Sequence, residues 1–210
     1  MPSPARTAET PVTLAVPGAD LCLDFANTRY WRGSPEPTEQ LATPADFLVW
    51  VTTAGGLPPA LAPIIERAWK DNPRQATATF GRALALREAI YRQLAALALE
   101  SKPRPEDLVA INDALARAPA RNHLVPTAEG YGWSVASFAP RAACLLAPVL
   151  WSVGDLLAAP RRLRVRCCSN EKCRWVFVDD SRAGTRRWCN MSACGNRAKA
   201  QRHYIRHKRA

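Results

Sequence analysis

Apolar residues recur along the chain at spacings that predict a mainly helical fold with a few strands. The first ordered segment, residues 19–25, places Leu21, Leu23 and Phe25 on one side in a two-residue alternation, which predicts a short strand. Asn27 and Thr28 then supply the turn chemistry that ends it. Residues 1–16, rich in Pro, Ala and Thr, are expected to form a flexible leader.

Helical spacing dominates the stretch from residue 43 to residue 159. Thr43 is a typical N-cap and Pro44 suits a first turn, so a helix is expected to begin there and to end at Gly55-Gly56. Further helices are predicted over residues 59–69 and 75–100, around Leu108, Ile111 and Leu115, and over residues 141–159, with a strand or hairpin over residues 130–135. The expected fold class is mainly α with a small β component (α+β): one helical domain, residues 17–159, and a smaller module, residues 160–210.

The smaller module carries four cysteines in two equal pairs. Cys168 and Cys173 form one C-x4-C pair, fifteen residues follow, and Cys189 and Cys194 form the second pair. Such pairs on two tight turns let tetrahedral Zn²⁺ collect four sulfurs, and four thiolates leave no position for a catalytic water. We therefore predict one structural zinc ion in a treble-clef or ribbon-like finger. The alternative of ordinary buried thiols is disfavoured, because a module this small with few aliphatic side chains needs a staple.

Three further cysteines need their own interpretation. Cys167 adjoins Cys168 and would lengthen the first knuckle, so Cys168 is the preferred ligand, and whether Cys167 replaces it stays open. Cys22 and Cys144 lie in apolar segments and are expected to be core residues. The sequence shows no secretory signal pattern and no run of apolar residues long enough to span a bilayer. We therefore expect reduced thiols, a cytoplasmic, nucleoid-associated location and no membrane partner.

The residues around the cysteine pairs predict the rest of the finger. Residues 175–178 alternate aromatic and valine side chains, which indicates a strand whose aromatic face covers the metal site. Trp188 is expected to shield the sulfurs from water. Gly195 is expected to turn the backbone past the last sulfur in a conformation that other residues resist, and Asn196 to cap a final basic helix. The helix spacing places four residues inward: Ala198, Ala200, Tyr204 and Ile205.

Positive charge is concentrated in the same module. Residues 160–210 carry 15 Lys or Arg against 3 Asp or Glu, a balance of +12, whereas residues 1–159 carry 14 against 15. A basic module joined to a neutral domain is typical of a polyanion binder. A basic helix stripe alone is often just a solvated face, but arginines in the connector extend this one and favour contact with phosphates. The predicted nucleic-acid contacts are Arg182, Arg186, Arg187, Arg197, Lys199, Arg202, His203 and Arg206.

Two stretches resemble known protein families. Residues 189–197, preceded by Phe177-x-Asp179-x-Ser181 and Arg186-Arg187-Trp188, resemble the bacterial CGNR zinc finger, named for the residues that stand here as Cys194, Gly195, Asn196 and Arg197. Residues 21–28, the helix that starts at Thr43 and the segment 50–56 are similar to the ABATE domain that precedes this finger. The resemblance implies a stress-induced transcriptional regulator whose finger binds DNA and whose front domain senses a ligand. It also implies that the zinc ligands are Cys168, Cys173, Cys189 and Cys194.

One polar cluster in the front domain invites a site. Asp24, Asn27 and Thr28 are expected at a strand end, where they form a candidate small-molecule pocket together with Arg29 or Trp31. The alternative is an Asx-type turn that only fixes the direction of the chain. The sequence leaves both interpretations open.

The sequence thus predicts a DNA-binding transcriptional regulator whose N-terminal domain serves ligand sensing or oligomerisation, for example as a homodimer. The alternative is a zinc-ribbon interaction module that binds RNA or an acidic protein partner. An enzyme is not expected, because the front domain offers no nucleophile–base pair and no phosphate-cradling glycine loop.

Overall fold

The computed structural model describes residues 11–128, 130–135, 138–200 and 204. The α-helices are α1 (Leu21–Ala26), α2 (Pro44–Thr53), α3 (Ala62–Asp71), α4 (Pro73–Ala98), α5 (Pro105–Arg117), α6 (Ala142–Leu145) and α7 (Ala147–Ala158), and residues 196–200 are also α-helical. Seven short strands accompany them: β1 (Val12–Ala15), β2 (Arg29–Tyr30), β3 (Thr38–Glu39), β4 (Leu124–Thr127), β5 (Gly130–Val135), β6 (Val165–Cys167) and β7 (Val176–Val178). This composition confirms the prediction of a mainly helical fold with a small β component.

The central element is α4, the longest helix. Its first turn is closed by Asn72, whose side chain accepts a hydrogen bond from the Gln75 N–H at 3.0 Å, and by Pro73, which lacks an N–H to satisfy. Ala83, Ile90 and Leu94 on this helix are fully buried. Helices α1, α2, α5 and α6 pack around it, and so does β6 of the C-terminal module. Helix α4 therefore forms the centre of the core and also supports the cysteine module.

The segment predicted as a strand over residues 19–25 is the helix α1, so that prediction is wrong. Leu21, Leu23 and Phe25 are buried, but so are Cys22 and Ala26 between them. The helix is apolar on nearly every side because it packs between α4 and α7. The apparent two-residue alternation therefore reflects a helix that is buried except at Asp24, and not a half-exposed strand.

Other boundaries differ from the sequence expectation in smaller ways. The flexible leader was expected to reach residue 16, but Val12–Ala15 forms β1, which pairs antiparallel with β5 in a sheet of order β1-β5-β4. The helix expected over residues 141–159 is two helices, α6 and α7, which meet at Leu146. The helix from Thr43 is confirmed: the Thr43 hydroxyl accepts from the Asp46 N–H at 3.1 Å, and the Asp46 carboxylate accepts from the Thr43 N–H at 2.8 Å.

The C-terminal module follows α7 without a long linker. A single 3₁₀ turn, Pro160–Arg164, leads directly into β6, which pairs antiparallel with β7. Both strands lie against α4. Among the described residues, no helix combines the length and the apolar character needed to cross a membrane.

Candidate zinc centre and nucleic-acid surface

Four cysteine sulfurs meet at one point of the C-terminal module. The Sγ atoms of Cys168, Cys173, Cys189 and Cys194 all lie within 4.8 Å of one another. Cys173 and Cys189 are 3.7 Å apart at sulfur, and Cys189 and Cys194 are 3.8 Å apart. A tetrahedron with Zn–S bonds of about 2.3 Å requires sulfur–sulfur separations of about 3.8 Å. The donor set and its spacing therefore fit one tetrahedral zinc ion.

The first zinc knuckle is built on the β6–β7 pair. Cys168 follows β6 directly, and its N–H donates to the Trp175 carbonyl at 2.8 Å, which closes the loop between the strands. Asn170 shapes the turn: its carbonyl accepts from the Cys173 N–H at 2.8 Å, and its side-chain amide points at the Cys194 sulfur at 3.6 Å. An N–H directed at a thiolate stabilises the charged sulfur. Nothing in the cysteine spacing signals this role of Asn170, which sequence analysis missed.

The position of Cys167 in β6 shows which of the two adjacent cysteines, Cys167 or Cys168, faces the zinc site. Cys167 belongs to β6 and pairs with Val176, and its sulfur lies 3.6 Å from the Arg174 carbonyl, away from the four-sulfur cluster. Successive residues of a strand point to opposite sides, so only one of two adjacent cysteines can face the metal. Cys168 is the ligand. Cys22 and Cys144 are buried in the core as predicted, and burial raises the pKa of the Cys22 thiol to about 11.

The second knuckle is held by Asn190 and not by Asn196. The Asn190 side chain accepts from the Ala193 N–H at 3.1 Å and caps the helical turn Met191–Gly195, which carries Cys194. Asn196 has helical backbone angles, so it lies inside the helix and the prediction of a cap there is wrong. Asn190 is a favoured N-cap residue directly before the helical turn, so the sequence did contain a signal for this cap. The prediction placed the cap at Asn196, within the family motif, instead.

The expectation that Gly195 turns the backbone in a conformation other residues resist is wrong, because its backbone is not in the left-handed region. A Cβ at this position would lie 2.8 Å from the Met191 sulfur and 3.4 Å from the Trp188 ring. The Met191 side chain is flexible and half exposed, so it can move aside. Trp188 also packs against the cysteine cluster, together with Trp31 and Trp175, which confirms that an aromatic shell covers the sulfurs.

The thiols of Cys168, Cys173 and Cys189 do not ionise independently. Hydrogen bonds from Cys173 and Cys189 hold the pKa of Cys168 far below its ordinary value, and the bond that Cys173 makes to Cys168 raises the pKa of Cys173. The cluster thus favours one thiolate first. Binding of Zn²⁺ requires the remaining thiols to lose their protons, so zinc affinity falls as the pH falls.

The connector between the knuckles is organised by a buried carboxylate. Asp179 has no exposed surface, and its two oxygens accept from the Ser181 N–H at 3.0 Å and from the Arg186 N–H at 2.8 Å. The hydrogen bond from the Ser181 hydroxyl lowers the pKa of Asp179. Gly184, at φ 63, completes the turn. The Phe177-x-Asp179-x-Ser181 pattern is therefore a device that shapes the connector.

The predicted nucleic-acid residues fall into three groups. The guanidinium of Arg186 donates to the Trp188 carbonyl at 2.9 Å and to the Cys189 carbonyl, and it lies over the Phe177 ring, so this arginine holds the connector. A second group is exposed at the surface: Arg182, Arg187, Arg197 and Lys199. The third group, Arg202, His203 and Arg206, lies outside the described residues, as does Ile205. Ala200 and Tyr204, expected to face inward, are exposed, Tyr204 by 65%.

The candidate ligand pocket of the front domain is not assembled. Asp24 is exposed on α1, the buried Thr28 hydroxyl donates to the Phe25 carbonyl at 2.8 Å and accepts from Arg87 at 3.2 Å, and Asn27 is buried in a different contact. The three side chains thus point to three places. The hydrogen bond from Thr28 to the Phe25 carbonyl is local, as in a turn, but Asn27 does not form the Asx-type turn that was the alternative interpretation. Arg29 lies 3.9 Å from Glu88, and Trp31 lies beside the zinc knuckles.

Asn27 joins the front domain to the finger. Its amide donates to the Val176 carbonyl at 2.8 Å, and its oxygen accepts from the Val176 N–H at 3.1 Å. Both partners are buried, Asn27 with 8% and Val176 with none of its surface exposed. The side chain thus satisfies both backbone groups of a β7 residue, as a neighbouring strand would.

The loop that follows Asn27 extends the same contact. The Gly33 N–H donates to the Lys172 carbonyl at 3.1 Å, and a Cβ at Gly33 would lie 1.7 Å from the Glu171 carbonyl oxygen. Arg32 anchors the loop on α4 through a two-point ion pair with Glu88 at 2.7 and 3.1 Å. The first knuckle is therefore docked against the front domain through close backbone contacts.

A four-cysteine zinc finger docked on a mainly helical domain defines the class of protein. Family models recognise both parts: residues 19–160 match ABATE, described as "Putative stress-induced transcription regulator", and residues 164–207 match the CGNR zinc finger. The first match spans more than half of the chain. The chain belongs to the ABATE family and carries a C-terminal CGNR zinc finger with one structural zinc site. A search of curated proteins finds no match to it.

Proposed function

We propose that this protein is a DNA-binding transcriptional regulator in which the zinc finger contacts the phosphate backbone. The observation that carries the proposal is a set of four exposed basic side chains on a scaffold fixed by zinc: Arg182, Arg187, Arg197 and Lys199. Their charge belongs to a module with a balance of +12. The family description supports the regulatory role. The proposal assigns the protein no catalytic role.

Two of the arginines lie on aromatic rings that hold them at the surface. Arg187 lies 5.5 Å from the centre of the Trp188 ring, and Arg197 lies 4.6 Å from the centre of the Trp31 ring. A guanidinium on a ring face loses less conformational freedom when it meets a phosphate, because it is already positioned. These two side chains are therefore the strongest candidates for phosphate contacts.

The N-terminal domain supplies ligand sensing or oligomerisation in this proposal. A groove of about 710 Å³ lies between α4, α5 and α6. Its floor is apolar and includes Ala89, and its rim carries both signs of charge: arginines, among them the Arg92 that pairs with the buried Asp107, and the acids Glu106 and Asp113. A groove with an apolar floor and a rim of mixed charge suits a small organic ligand or a second copy of the chain.

The proposed function is tested by charge reversal on the zinc-loaded chain. Arg187→Glu and Arg197→Glu are compared with Lys70→Glu, which makes the same change of charge on the exposed face of α3. Affinity for labelled duplex DNA is measured across a range of salt concentrations. Each finger variant should weaken binding and reduce the salt slope by about one, the amount expected per lost phosphate contact, whereas Lys70→Glu should have little effect.

Two outcomes would contradict the proposal. No binding of duplex DNA at low salt would refute it, and so would an equal loss in all three variants, since that would reflect total charge only. Tighter binding to RNA of the same sequence, or to an acidic protein partner, would instead favour an interaction module.

A further inference from the structure

A cleft runs between the two zinc knuckles and the front domain. Its volume is about 640 Å³, and its walls include Trp31 from the front domain and Asn170, Lys172, Trp188 and Arg197 from the finger. A second cleft, about 300 Å³, adjoins it, shares Trp31, Cys194 and Arg197, and opens onto the zinc site through the ligands Cys173 and Cys189. Trp31 therefore forms a border of both clefts, and it is the point at which the front domain enters the finger surface.

Aromatic rings and cations alternate around these clefts. The Tyr30 and Trp175 rings contact each other in the smaller cleft, 5.1 Å apart between centroids and tilted by 34°, and Trp31 and Trp188 line the larger one. Arg197 lies on Trp31, and Lys172 faces the larger cleft, where Glu171 is a single opposing acid. Rings interleaved with cations are the arrangement by which proteins hold single-stranded nucleic acid, with bases on the rings and phosphates on the cations.

The loop that presents Trp31 is fixed in a costly conformation. Trp31 has a backbone φ of 54°, in the left-handed region that residues other than glycine rarely adopt. The structure maintains it through the Ser34 N–H, which donates to the Trp31 carbonyl at 2.8 Å, and through the docking of Gly33 on the knuckle. A half-buried tryptophan held this way at a cleft edge is positioned in advance of any partner.

We infer that the cleft between the domains binds an unpaired nucleotide of a DNA strand: the base stacks on Trp31 in place of the Arg197 guanidinium, and Arg197 and Lys172 contact the adjoining phosphates. The inference rests on the proposed function and adds a contribution from the front domain. It implies a preference for DNA that exposes an unstacked base over an intact duplex. Since the stacking ring belongs to the front domain, the finger and that domain form one composite binding surface.

The test compares an intact duplex with the same duplex carrying an internal single-stranded gap, both bound by the full zinc-loaded chain. The gapped DNA should bind more tightly, and Trp31→Ala should remove that advantage, a loss of roughly 5- to 150-fold for one stacked base. Trp31→Phe should retain part of it. Tyr131→Ala, which removes an exposed aromatic ring of β5, is the matched control and should leave both affinities unchanged.

Zinc content and the unfolding midpoint are measured for every variant, because Trp31 also packs on the cysteine cluster. If Trp31→Ala loses zinc, Trp31→Phe and Lys172→Ala carry the test, and Lys172→Ala should weaken binding of the gapped DNA more than binding of the duplex. Equal affinities for the two DNAs, or a gap preference that survives Trp31→Ala in a folded chain, would overturn the inference while the proposed function stands. A preference for RNA over the gapped DNA would overturn the assignment to DNA, and binding to neither DNA would overturn both proposals.

Discussion

Replacing Asn27 with alanine should weaken the contact between the finger and the front domain. The substitution removes both hydrogen bonds to Val176 and leaves a buried N–H and a buried carbonyl without partners. Each such orphaned group costs about 1–3 kcal/mol. Because water can reach a freed edge of the finger in part, we expect a loss of about 2–4 kcal/mol in the free energy of unfolding. That is a large share of the roughly 5–15 kcal/mol of a typical domain.

The measurement is urea unfolding of the zinc-loaded chain, combined with hydrogen exchange at the Val176 amide. Asn27→Ala should lower the unfolding midpoint and speed exchange at that amide. Asn27→Asp should do at least as much, since it places a carboxylate against the Val176 carbonyl. Asn112→Ala on the exposed face of α5 is the matched control and should change stability by no more than about 0.5 kcal/mol. A similarly small effect of Asn27→Ala, with Val176 exchange unchanged, would refute the reasoning.

Three further predictions follow from the geometry. Cys168→Ser should lose the zinc while Cys167→Ser keeps one zinc per chain, as native mass spectrometry would show; equal retention in both would contradict the ligand assignment. Gly33→Ala should lower the free energy of unfolding by about 1–3 kcal/mol because its Cβ meets a knuckle carbonyl at 1.7 Å, whereas Gly81→Ala, with open space on α4, should be neutral or stabilising. Burial raises the pKa of Glu39, but hydrogen bonds from its buried partner Arg87 outweigh burial and lower that pKa below its ordinary value of 4.5. The Glu39–Arg87 ion pair therefore stabilises the folded state above pH 4.5, and this stabilisation is lost as the pH falls through the lowered pKa. Glu39→Gln should flatten this part of the acid-unfolding curve, and an unchanged curve would count against the ion pair.

The zinc ligands were predictable because metal geometry constrains sequence spacing directly. Two equal pairs of cysteines are nearly sufficient to define a tetrahedral site, and the choice of Cys168 followed from equal knuckle lengths. Cys167 is the last residue of β6 and Cys168 follows it, so the two side chains point to opposite sides of the backbone; this is the physical reason for that choice. Helix α2 was equally predictable, since its capping box is local in sequence.

Contacts between distant residues were not predictable from local patterns. The polar character of Asn27 signals a site, but nothing in its neighbourhood indicates a partner 149 residues away. Helix α1 was misassigned because a short helix that is buried at every residue but Asp24 does not show the amphipathic period on which sequence interpretation depends. The cap of the second knuckle was misassigned for a different reason: Asn190, which is the cap, and Asn196 lie in the same short segment, and capping preference alone does not choose between two asparagines.

The most direct test of the central claim, that a zinc-held finger binds nucleic acid, is recovery of DNA binding during a zinc titration. The chain is first treated with a chelator, and the anisotropy of a labelled DNA duplex is followed at low salt as Zn²⁺ is added back. Binding should be weak in chelator and should recover fully at one zinc per chain, with no recovery in Cys168→Ser. Full binding in the presence of chelator, or no binding at any zinc concentration, would contradict the account.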